Sequence, residues 1–355
     1  MKIILHGATD RGSTNFGDFL YANELYSLCR SMNAEVCYYN ESAFIREYTR
    51  GYCANKFTVQ ESDLLVYIPG GYFSEAHDTT LKRCLINFRR YMPFGLSGCV
   101  RRKRIAVLGI GAGNIHTPFL RWPLKWILNH AEMITVRDEI SRKALDELKP
   151  KSSPENYGDL ILSIDIPSLI QATQQTQEIG KQVEGKKLVV VHYNHSRQAL
   201  QLFAAALQVF KDTHPEYQLV VTTDSVIEDD MDLFDSFKNT VGRCIHFTYK
   251  NPYELIELLR ISDVVVTCKL HLGVVACMLG KSVISVAEDY AKTSRFYEQI
   301  GETNRCVPLN ESDAEQVSEM INRFCEKKVT IPQALIEESN KHRERLMKLV
   351  QIIKK

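Results

Sequence analysis

Short apolar runs alternate with amphipathic stretches along the first half of the chain. Five runs rich in β-branched residues have the length of buried strands, at 2–6, 35–39, 64–68, 104–110 and 133–137. Between the first two runs, apolar residues recur at helical spacing over 19–32, and a further helix is predicted at 140–148. Because strands and helices alternate, the pattern predicts a parallel sheet with helices on both faces.

The same alternation begins again after residue 187. Strands are predicted at 187–193, 218–223, 263–268 and 282–287, with helices between them. The stretch between the two halves is rich in Gln, Thr and Lys, as is typical of a linker, and a helical portion is compatible with it. We therefore predict two Rossmann-like, doubly wound α/β domains, with an N-terminal domain at 1–165, a linker at 166–187, a C-terminal domain at 188–330 and an amphipathic helix at 331–355.

Composition narrows the class of protein. Of the 355 residues, 45% are hydrophobic and 25% are charged, and the formal net charge of +1 provides no bulk field for nucleic acid. No apolar run approaches the roughly 18 residues of a membrane span. The apolar stretch at the N-terminus is too short for a signal peptide. Ten cysteines without a C-x-x-C pair favour free thiols in a reducing cytoplasm over a zinc site or disulfides.

Four segments of the first half place glycine or charge just after a predicted strand, where ligands bind in such sheets. They are the loop with Asn15 and Asp18, the pair Gly70-Gly71, the Gly-rich stretch ending at His116, and Arg137-Asp138 with Ser141. Asp18 is expected to cap the first helix, and Asp138 or Ser141 a later one. Each segment alone also fits an ordinary turn, a helix cap or a surface ion pair.

The Gly-rich stretch does not fit a dinucleotide fingerprint. Gly109, Gly111 and Gly113 have the wrong spacing, because Asn114 occupies the position of the last glycine.

Cationic residues follow two strands of the second half. Lys269 and His271 come directly after the strand at 263–268, and Asp289 and Lys292 follow the strand at 282–287. At such strand ends, helix N-termini and side chains converge on anions. The pattern favours a pocket for a doubly anionic small molecule, and a polar surface without a ligand is the alternative.

Taken in order over about residues 1–300, these segments resemble the polysaccharide pyruvyl transferase family. Members of that family move the pyruvyl group of phosphoenolpyruvate onto two hydroxyls of a sugar as a cyclic ketal, with release of phosphate. The resemblance implies a GT-B-like arrangement with an interdomain cleft, phosphoenolpyruvate as the donor substrate, and no metal or organic cofactor. It departs from the family where Lys269 replaces the usual arginine, so that a point charge replaces a bidentate fork.

The resemblance also implies roles for individual residues. Phosphoenolpyruvate would be bound by Arg137, Lys269, Leu270, His271 and Lys292. The acceptor sugar would lie near Asn15, Asp18, Gly71, His116 and Asp289. The general acid and base are expected among His271, His116, Asp18 and Asp289, with His271 as the acid.

Two other functions fit the same architecture. A GT-B glycosyltransferase would use a nucleotide sugar as its donor. A non-catalytic protein would bind an anion or a sugar through the same residues, a reading that the lysine at position 269 allows.

Basic residues interleaved with aromatic ones over 83–104, followed by both tryptophans, suit an anionic membrane interface. This reading predicts a cytoplasmic protein, peripheral at the inner face of the membrane. Its acceptor would be a precursor of capsule or exopolysaccharide, such as an undecaprenyl-diphosphate-linked oligosaccharide. The alternative is a solvated helix and loop whose aromatic residues pack inward.

Overall fold

The computed structural model describes residues 1–10, 12–75, 80–193, 196–226 and 231–355, so that Arg11 of the first loop lies outside it. The chain forms two compact units. The first contains Met1–Thr14, Asp18–Ile164 and Gln333–Lys355, and the second contains Asn15–Gly17 and Asp165–Pro332.

The first unit is built on a six-stranded parallel sheet. Its strands are β1 (Lys2–His6), β2 (Glu35–Tyr38), β3 (Leu64–Tyr67), β4 (Arg104–Ile110), β5 (Ala131–Val136) and β6 (Glu155–Asn156), in the order β2-β1-β3-β4-β5-β6. Its helices are α1 (Phe16–Ser31), α2 (Ala43–Tyr48), α3 (Leu81–Val100), α4 (Pro118–His130), α5 (Glu139–Asp146) and, last in the chain, α13 (Gln333–Lys354). A 3-10 turn spans Leu160–Ser163.

The second unit repeats this design. Its strands are β7 (Lys187–His192), β8 (Tyr217–Thr222), β9 (Ile245–His246), β10 (Val264–Thr267), β11 (Ser282–Ala287) and β12 (Cys306–Pro308), in the order β12-β11-β10-β7-β8-β9. Its helices are α6 (Gln174–Gln182), α7 (Arg197–Thr213), α8 (Met231–Val241), α9 (Pro252–Ile261), α10 (Leu270–Met278), α11 (Tyr290–Gln299) and α12 (Ala314–Phe324). Three 3-10 turns span Ile166–Leu169, Thr303–Arg305 and Leu309–Glu311.

Each sheet forms the core of its own unit. All residues of β3, β8, β10 and β11 are buried, because helices cover both faces of a parallel sheet. The central strands are therefore runs of Val, Ile and Leu rather than alternating patterns. The predicted fold class, two doubly wound α/β domains, is confirmed. The cleft expected between the two domains stays a prediction.

The unit boundaries differ from the expected domain boundaries in two places. The helix expected apart at 331–355 is α13, which packs against Leu160–Ser163, β4 and β5 of the first unit. The stretch expected as a linker contains α6, which packs against α9 and buries Ile179 in the second unit. In both cases apolar side chains of the segment are buried against an apolar surface, and the hydrophobic effect stabilises that packing.

All ten cysteines are free thiols and eight of them are buried. None of the helices in the described part of the chain combines the length and the apolar composition needed to cross a bilayer.

A buried histidine joins α13 to the first unit. His342 Nδ1 lies 2.8 Å from Thr135 Oγ1, and its Nε2 lies 2.8 Å from the carbonyl oxygen of Gly158. Burial lowers the pKa of His342 from 6.5 to about 4, and the hydrogen bond to Gly158 opposes that change. The folded protein therefore holds this imidazole neutral at a pH where the unfolded chain is protonated.

We expect His342 to make the fold sensitive to acid. Its pKa is lowered on folding, so its contribution to stability is complete above pH 6.5 and is lost as the pH falls toward 4, by roughly 3 kcal/mol. Urea unfolding at pH 7.5 and at pH 4.5 measures this loss in the parent and in His342→Gln. The variant should lose less stability between the two pH values; equal losses would contradict the assignment.

Candidate functional site

The second sheet has a topological switch point between β7 and β10. These strands are neighbours, but from β7 the sheet continues to β8 and β9, whereas from β10 it continues to β11 and β12. Ligands of open α/β sheets bind beyond the carboxyl ends of the strands at such a point. Here His192 ends β7, and Lys269 and His271 follow β10.

The first turn of α10 combines a helix N-terminus with two basic side chains. Lys269 occupies the N-cap position, and no side chain caps the helix there, since an ammonium group has no acceptor to offer. Leu270 and His271 are the first two residues of the helix. The N–H of Lys269 donates to Thr267 Oγ1 at 3.1 Å, which fixes the turn. The helix dipole and both side chains therefore favour an anion here.

A buried polar network lies beside this turn. His192 Nδ1 is 3.0 Å from Thr267 Oγ1, and His192 Nε2 is 3.4 Å from Asp224 Oδ1. The other carboxylate oxygen of Asp224 accepts a hydrogen bond from Asn15 Nδ2 at 2.9 Å. The main-chain carbonyl of Asp224 accepts another from the N–H of Phe16, also at 2.9 Å. Asn15–Gly17 is thereby held within the second unit.

Gly17 leaves room for the imidazole of His271. A Cβ atom at position 17 would stand 2.0 Å from His271 Nδ1 and 2.6 Å from its Cγ. Real Cβ atoms do not approach other atoms so closely, so the ring lies directly against the backbone of residue 17. The Asn15-Phe16-Gly17 segment and His271, which are far apart in sequence, meet at this contact.

The charge of Asp224 is maintained by its neighbours. Burial alone would raise the pKa of this carboxyl group. The imidazole of His192, 3.4 Å away, and then the charges of Lys269 and His271 outweigh burial and lower its pKa below the usual value. Asp224 is therefore a buried carboxylate that provides a counter-charge to the basic residues of the first turn of α10.

Asp289 and Lys292 lie at the carboxyl end of β11, the strand next to β10. Asp289 caps α11 by accepting the N–H of Lys292 at 3.1 Å. The N–H of Glu288 donates to the carbonyl of Cys268 at 3.2 Å, which ties this loop to the end of β10. Asp289 is exposed and Lys292 is partly buried.

In the first unit, Arg137 lies against a glycine. Its side chain is only 7% exposed, with Nε 3.5 Å from Asp138 Oδ2. A Cβ atom on Gly111 would stand 2.5 Å from the guanidinium carbon, so the guanidinium group packs on the backbone of the Gly-rich segment. Of the two expected caps of α5, Asp138 is the one observed, accepting the N–H of Ser141 at 2.7 Å.

The sequence predicted Asp18 as the cap of α1, but the structure places Asp18 inside the helix. The helix begins at Phe16, so Asp18 is its third residue, and its carboxylate lies in the first turn, where the helix dipole favours it. The pKa of Tyr21 is raised by burial and by Asp159 and Asp18, and Arg137 opposes that rise. Asp18 and Arg137 therefore both lie within electrostatic reach of Tyr21.

His116 and Gly71 are exposed. The N–H of His116 donates to a carboxylate oxygen of Glu75 at 3.1 Å, and the N–H of Thr117 donates to the other oxygen of Glu75 at 3.1 Å. Gly71 follows Gly70, whose carbonyl accepts the N–H of Gly111 at 2.9 Å. Both residues thus belong to the loops beyond the strand ends of the first sheet.

The first unit also contains a cavity of about 670 Å³ beyond the ends of β1 and β2. Its lining includes Asp10, Tyr39, Asn40, Glu41, Arg46 and Lys56. The side chain of Glu41 is only 5% exposed, and its carboxylate lies 3.3 Å from Lys56 Nζ. An aromatic ring, carboxylates and an amide in one cavity suit a polyhydroxylated ligand.

Sequence reasoning missed His192, Asp224 and this cavity. The signal for the first two was present, because His192 is the second-last residue of one predicted strand and Asp224 directly follows another. The rule applied to Lys269 and His271, that polar residues beyond strand ends form sites, would have selected them too.

Comparison with known proteins assigns the chain to a family. The family model described as polysaccharide pyruvyl transferase matches residues 15–290, a span that begins at Asn15 and includes Arg137, Lys269 and His271. The chain belongs to the polysaccharide pyruvyl transferase family. The predicted family is therefore confirmed. A comparison with curated proteins found no match.

Solved structures share the fold of this pyruvyl transferase family member at low identity. The UDP-GlcNAc 2-epimerase of Methanocaldococcus jannaschii has a TM-score of 0.66 at 10% identity, covering 99% of each chain. The enzyme of the same name from Neisseria meningitidis, bound to UDP-GlcNAc, has a TM-score of 0.63 at 11% identity, covering 99% of this chain and 100% of that one. Anabaena HepE, in complex with UDP and glucose, has a TM-score of 0.59 at 12% identity, covering 99% of each chain.

We expect Gly17→Ala to destabilise the protein by about 1–3 kcal/mol, because the added methyl group overlaps the ring of His271. Gly180→Ala is the matched control, since that helical glycine has nothing within 4 Å of its built Cβ, and it should be neutral or stabilising. Chemical denaturation measures both.

Adding His271→Ala to Gly17→Ala should recover much of the lost stability, because it removes the overlapping ring. If Gly17→Ala unfolds at the same denaturant concentration as Gly180→Ala, the contact between residue 17 and His271 is refuted.

Proposed function

We propose that this family member transfers the pyruvyl group of phosphoenolpyruvate onto two hydroxyls of a sugar, forming a cyclic ketal and releasing phosphate. The observation that supports the proposal is the first turn of α10, where Lys269, Leu270 and His271 combine a helix N-terminus with two basic side chains. The sugar belongs to a polysaccharide or to its lipid-linked precursor. The proposed reaction uses no metal or organic cofactor.

The phosphate and carboxylate of the donor require separate cationic partners. Lys269 and the Leu270 backbone are suited to the phosphate, because peptide N–H groups of a first helical turn and an ammonium group both bind phosphate. Arg137 and Lys292 are proposed for the carboxylate, and the planar fork of Arg137 suits it. With a lysine at position 269, phosphate is bound by a point charge, so its orientation depends more on the helix turn.

The reaction balances with one acid and one base. The acid gives a proton to C3 of phosphoenolpyruvate, the first sugar hydroxyl attacks C2, and the base takes the hydroxyl proton. The product is a tetrahedral phospho-ketal. The second hydroxyl then displaces phosphate at C2, and its proton leaves with the phosphate. Fixed cations that stabilise the developing charge need no reorganisation during these steps.

His271 is proposed as the acid. Its ring is placed by the backbone of Gly17, and its charge helps to lower the pKa of the nearby Asp224 carboxyl group. Asp224 and His192 act as positioning residues, since Asp224 is proposed to act through Asn15 and His271. His116 and Asp18 remain the proposed candidates for the base.

The acceptor is proposed to bind near Asn15, Asp18, Gly71, His116 and Asp289. The cavity beside Tyr39 in the first unit is a further proposed site for part of a sugar chain, because its ring, carboxylates and amide can stack on and hydrogen-bond to hydroxylated rings. An oligosaccharide linked to a lipid diphosphate is one acceptor that fits a peripheral membrane location.

A second function is supported by the structural neighbours, several of which were solved with UDP or UDP-GlcNAc bound. A glycosyltransferase of this fold would bind a nucleotide sugar. Isothermal titration with UDP-sugars and with phosphoenolpyruvate distinguishes the two functions, since the pyruvyl transferase should bind only the latter. A protein that binds phosphoenolpyruvate without turnover would be a non-catalytic relative.

The direct test is mass spectrometry of candidate acceptors incubated with phosphoenolpyruvate, with phosphate release measured in parallel. His271→Ala should lower kcat by about 10²–10⁴-fold while leaving the unfolding transition in place. His130→Ala changes an exposed histidine of the first unit that has no proposed role, and this control should keep the parent kcat. Near-normal turnover in His271→Ala would remove His271 from the proposed mechanism.

Two variants test the proposed contact between Lys269 and phosphoenolpyruvate. Lys269→Gln should raise KM for phosphoenolpyruvate at least about tenfold, because a charge-assisted contact is lost. Lys269→Arg restores the residue usual in the family and should keep KM near the parent value. An unchanged KM in Lys269→Gln would show that residue 269 does not contact the donor.

A further inference from the structure

One segment of the chain has a large excess of positive charge. Residues 80–131 contain ten Lys and Arg and no Asp or Glu. Since the whole chain has a formal net charge of only +1, the remaining residues have a net charge of −9. A nearly neutral protein thus contains a strongly cationic stretch, and that stretch includes α3 and α4.

These two helices pack side by side in the first unit. The rings of Phe88 and Phe119 are 6.3 Å apart, and Cys99 Sγ lies 3.9 Å from the carbonyl of Trp126. A Cβ on Gly95 of α3 would stand 2.5 Å from Tyr67 Oη of β3 and 2.8 Å from Ile127 of α4. Both helices therefore cover the same face of the sheet, and their outer sides form one surface.

The structure corrects the residues that the sequence assigned to a membrane interface. Of the aromatic and apolar residues interleaved with arginine over 83–104, Tyr91, Met92 and Phe94 are buried, and Phe88 and Leu96 are partly buried. They belong to the inner side of α3, where helical spacing directs them onto the sheet. They cannot contact a bilayer in the folded protein.

Other apolar residues lie on the outer side. Trp122 is 71% exposed and Trp126 is 44% exposed, and they are one helical turn apart on α4. On α3 the exposed apolar residues are Leu81, Leu85, Ile86 and Val100. Exposed cations accompany them, namely Lys82, Arg83, Arg89, Arg101 and Arg102. We call this surface the α3–α4 face.

We propose that the α3–α4 face docks on an anionic lipid bilayer. Exposed tryptophans favour the membrane–water interface, and clustered Lys and Arg are attracted to anionic headgroups. The charge complementarity decides against a second copy of the chain, because a symmetric dimer through this face would bring its five exposed cations against the same five of the other copy. This inference is independent of the proposed pyruvyl transfer, and a failure of either leaves the other standing.

The protein itself provides a probe of this contact. Its only two tryptophans are Trp122 and Trp126, so its tryptophan fluorescence reports on the α3–α4 face alone. Vesicles of phosphatidylcholine with phosphatidylglycerol should sediment the protein at low salt and shift its emission to the blue. Vesicles of phosphatidylcholine alone should do neither, and high salt should release the protein from the anionic vesicles.

Charge-reversal variants locate the contact. Lys82→Glu with Arg83→Glu should weaken binding to the anionic vesicles at least about tenfold. Lys328→Glu with Lys348→Glu reverses two exposed cations outside this face and should bind like the parent. Trp122→Ala with Trp126→Ala should weaken binding while the far-UV spectrum and the unfolding transition stay in place, since both side chains are exposed.

The following outcomes would each overturn the proposal. They are absence of binding to anionic vesicles at low salt, equal weakening by both charge-reversal pairs, sedimentation without a change in tryptophan emission, and a dimer in sedimentation velocity that the double tryptophan variant abolishes. The last outcome would assign the face to a second copy. Binding of RNA in place of the vesicles would likewise refute a lipid partner.

Discussion

The Asp224 carboxylate is the contact on which the candidate site of the second unit depends. It is buried and ionised, it accepts a hydrogen bond from Asn15, and it lies 3.4 Å from His192. Removing one partner would leave a buried polar group unsatisfied, which costs about 1–3 kcal/mol. Because Asn15 and Phe16 are held in this way, Gly17 lies against the ring of His271. One carboxylate thus connects three other segments, those of Asn15–Gly17, His192 and His271.

In both units a basic side chain packs against the backbone of a glycine. In the second unit the imidazole of His271 packs on the backbone of Gly17, and in the first unit the guanidinium of Arg137 packs on that of Gly111. In each case a Cβ atom on the glycine would overlap the side chain. A close-packed backbone restricts the rotamers of a long or planar side chain, so its charge has a fixed position before any ligand binds.

The first turn of α10 and the α3–α4 face differ in how far nearby acidic groups compensate their positive charge. At the first turn of α10, basic groups face a buried carboxylate, so the local charge is partly compensated and suits a small, multiply charged anion. On the α3–α4 face no acidic residue of 80–131 offsets the cations, and large apolar side chains lie among them. That combination suits a lipid bilayer, which has an anionic surface and an apolar interior. The overall net charge of +1 conceals this difference.

The sequence by itself determined the fold class, the family and the main strands, because long buried runs such as β4 and β11 have an unmistakable apolar pattern. It also selected Lys269 and His271, since they directly follow such a run. Only the tertiary structure decided the partners of Asp224, the sides on which Tyr91 and Trp122 lie, and the unit to which α13 belongs. Those features depend on contacts between residues far apart in sequence, and two- or three-residue strands such as β6, β9 and β12 are too short to show a period.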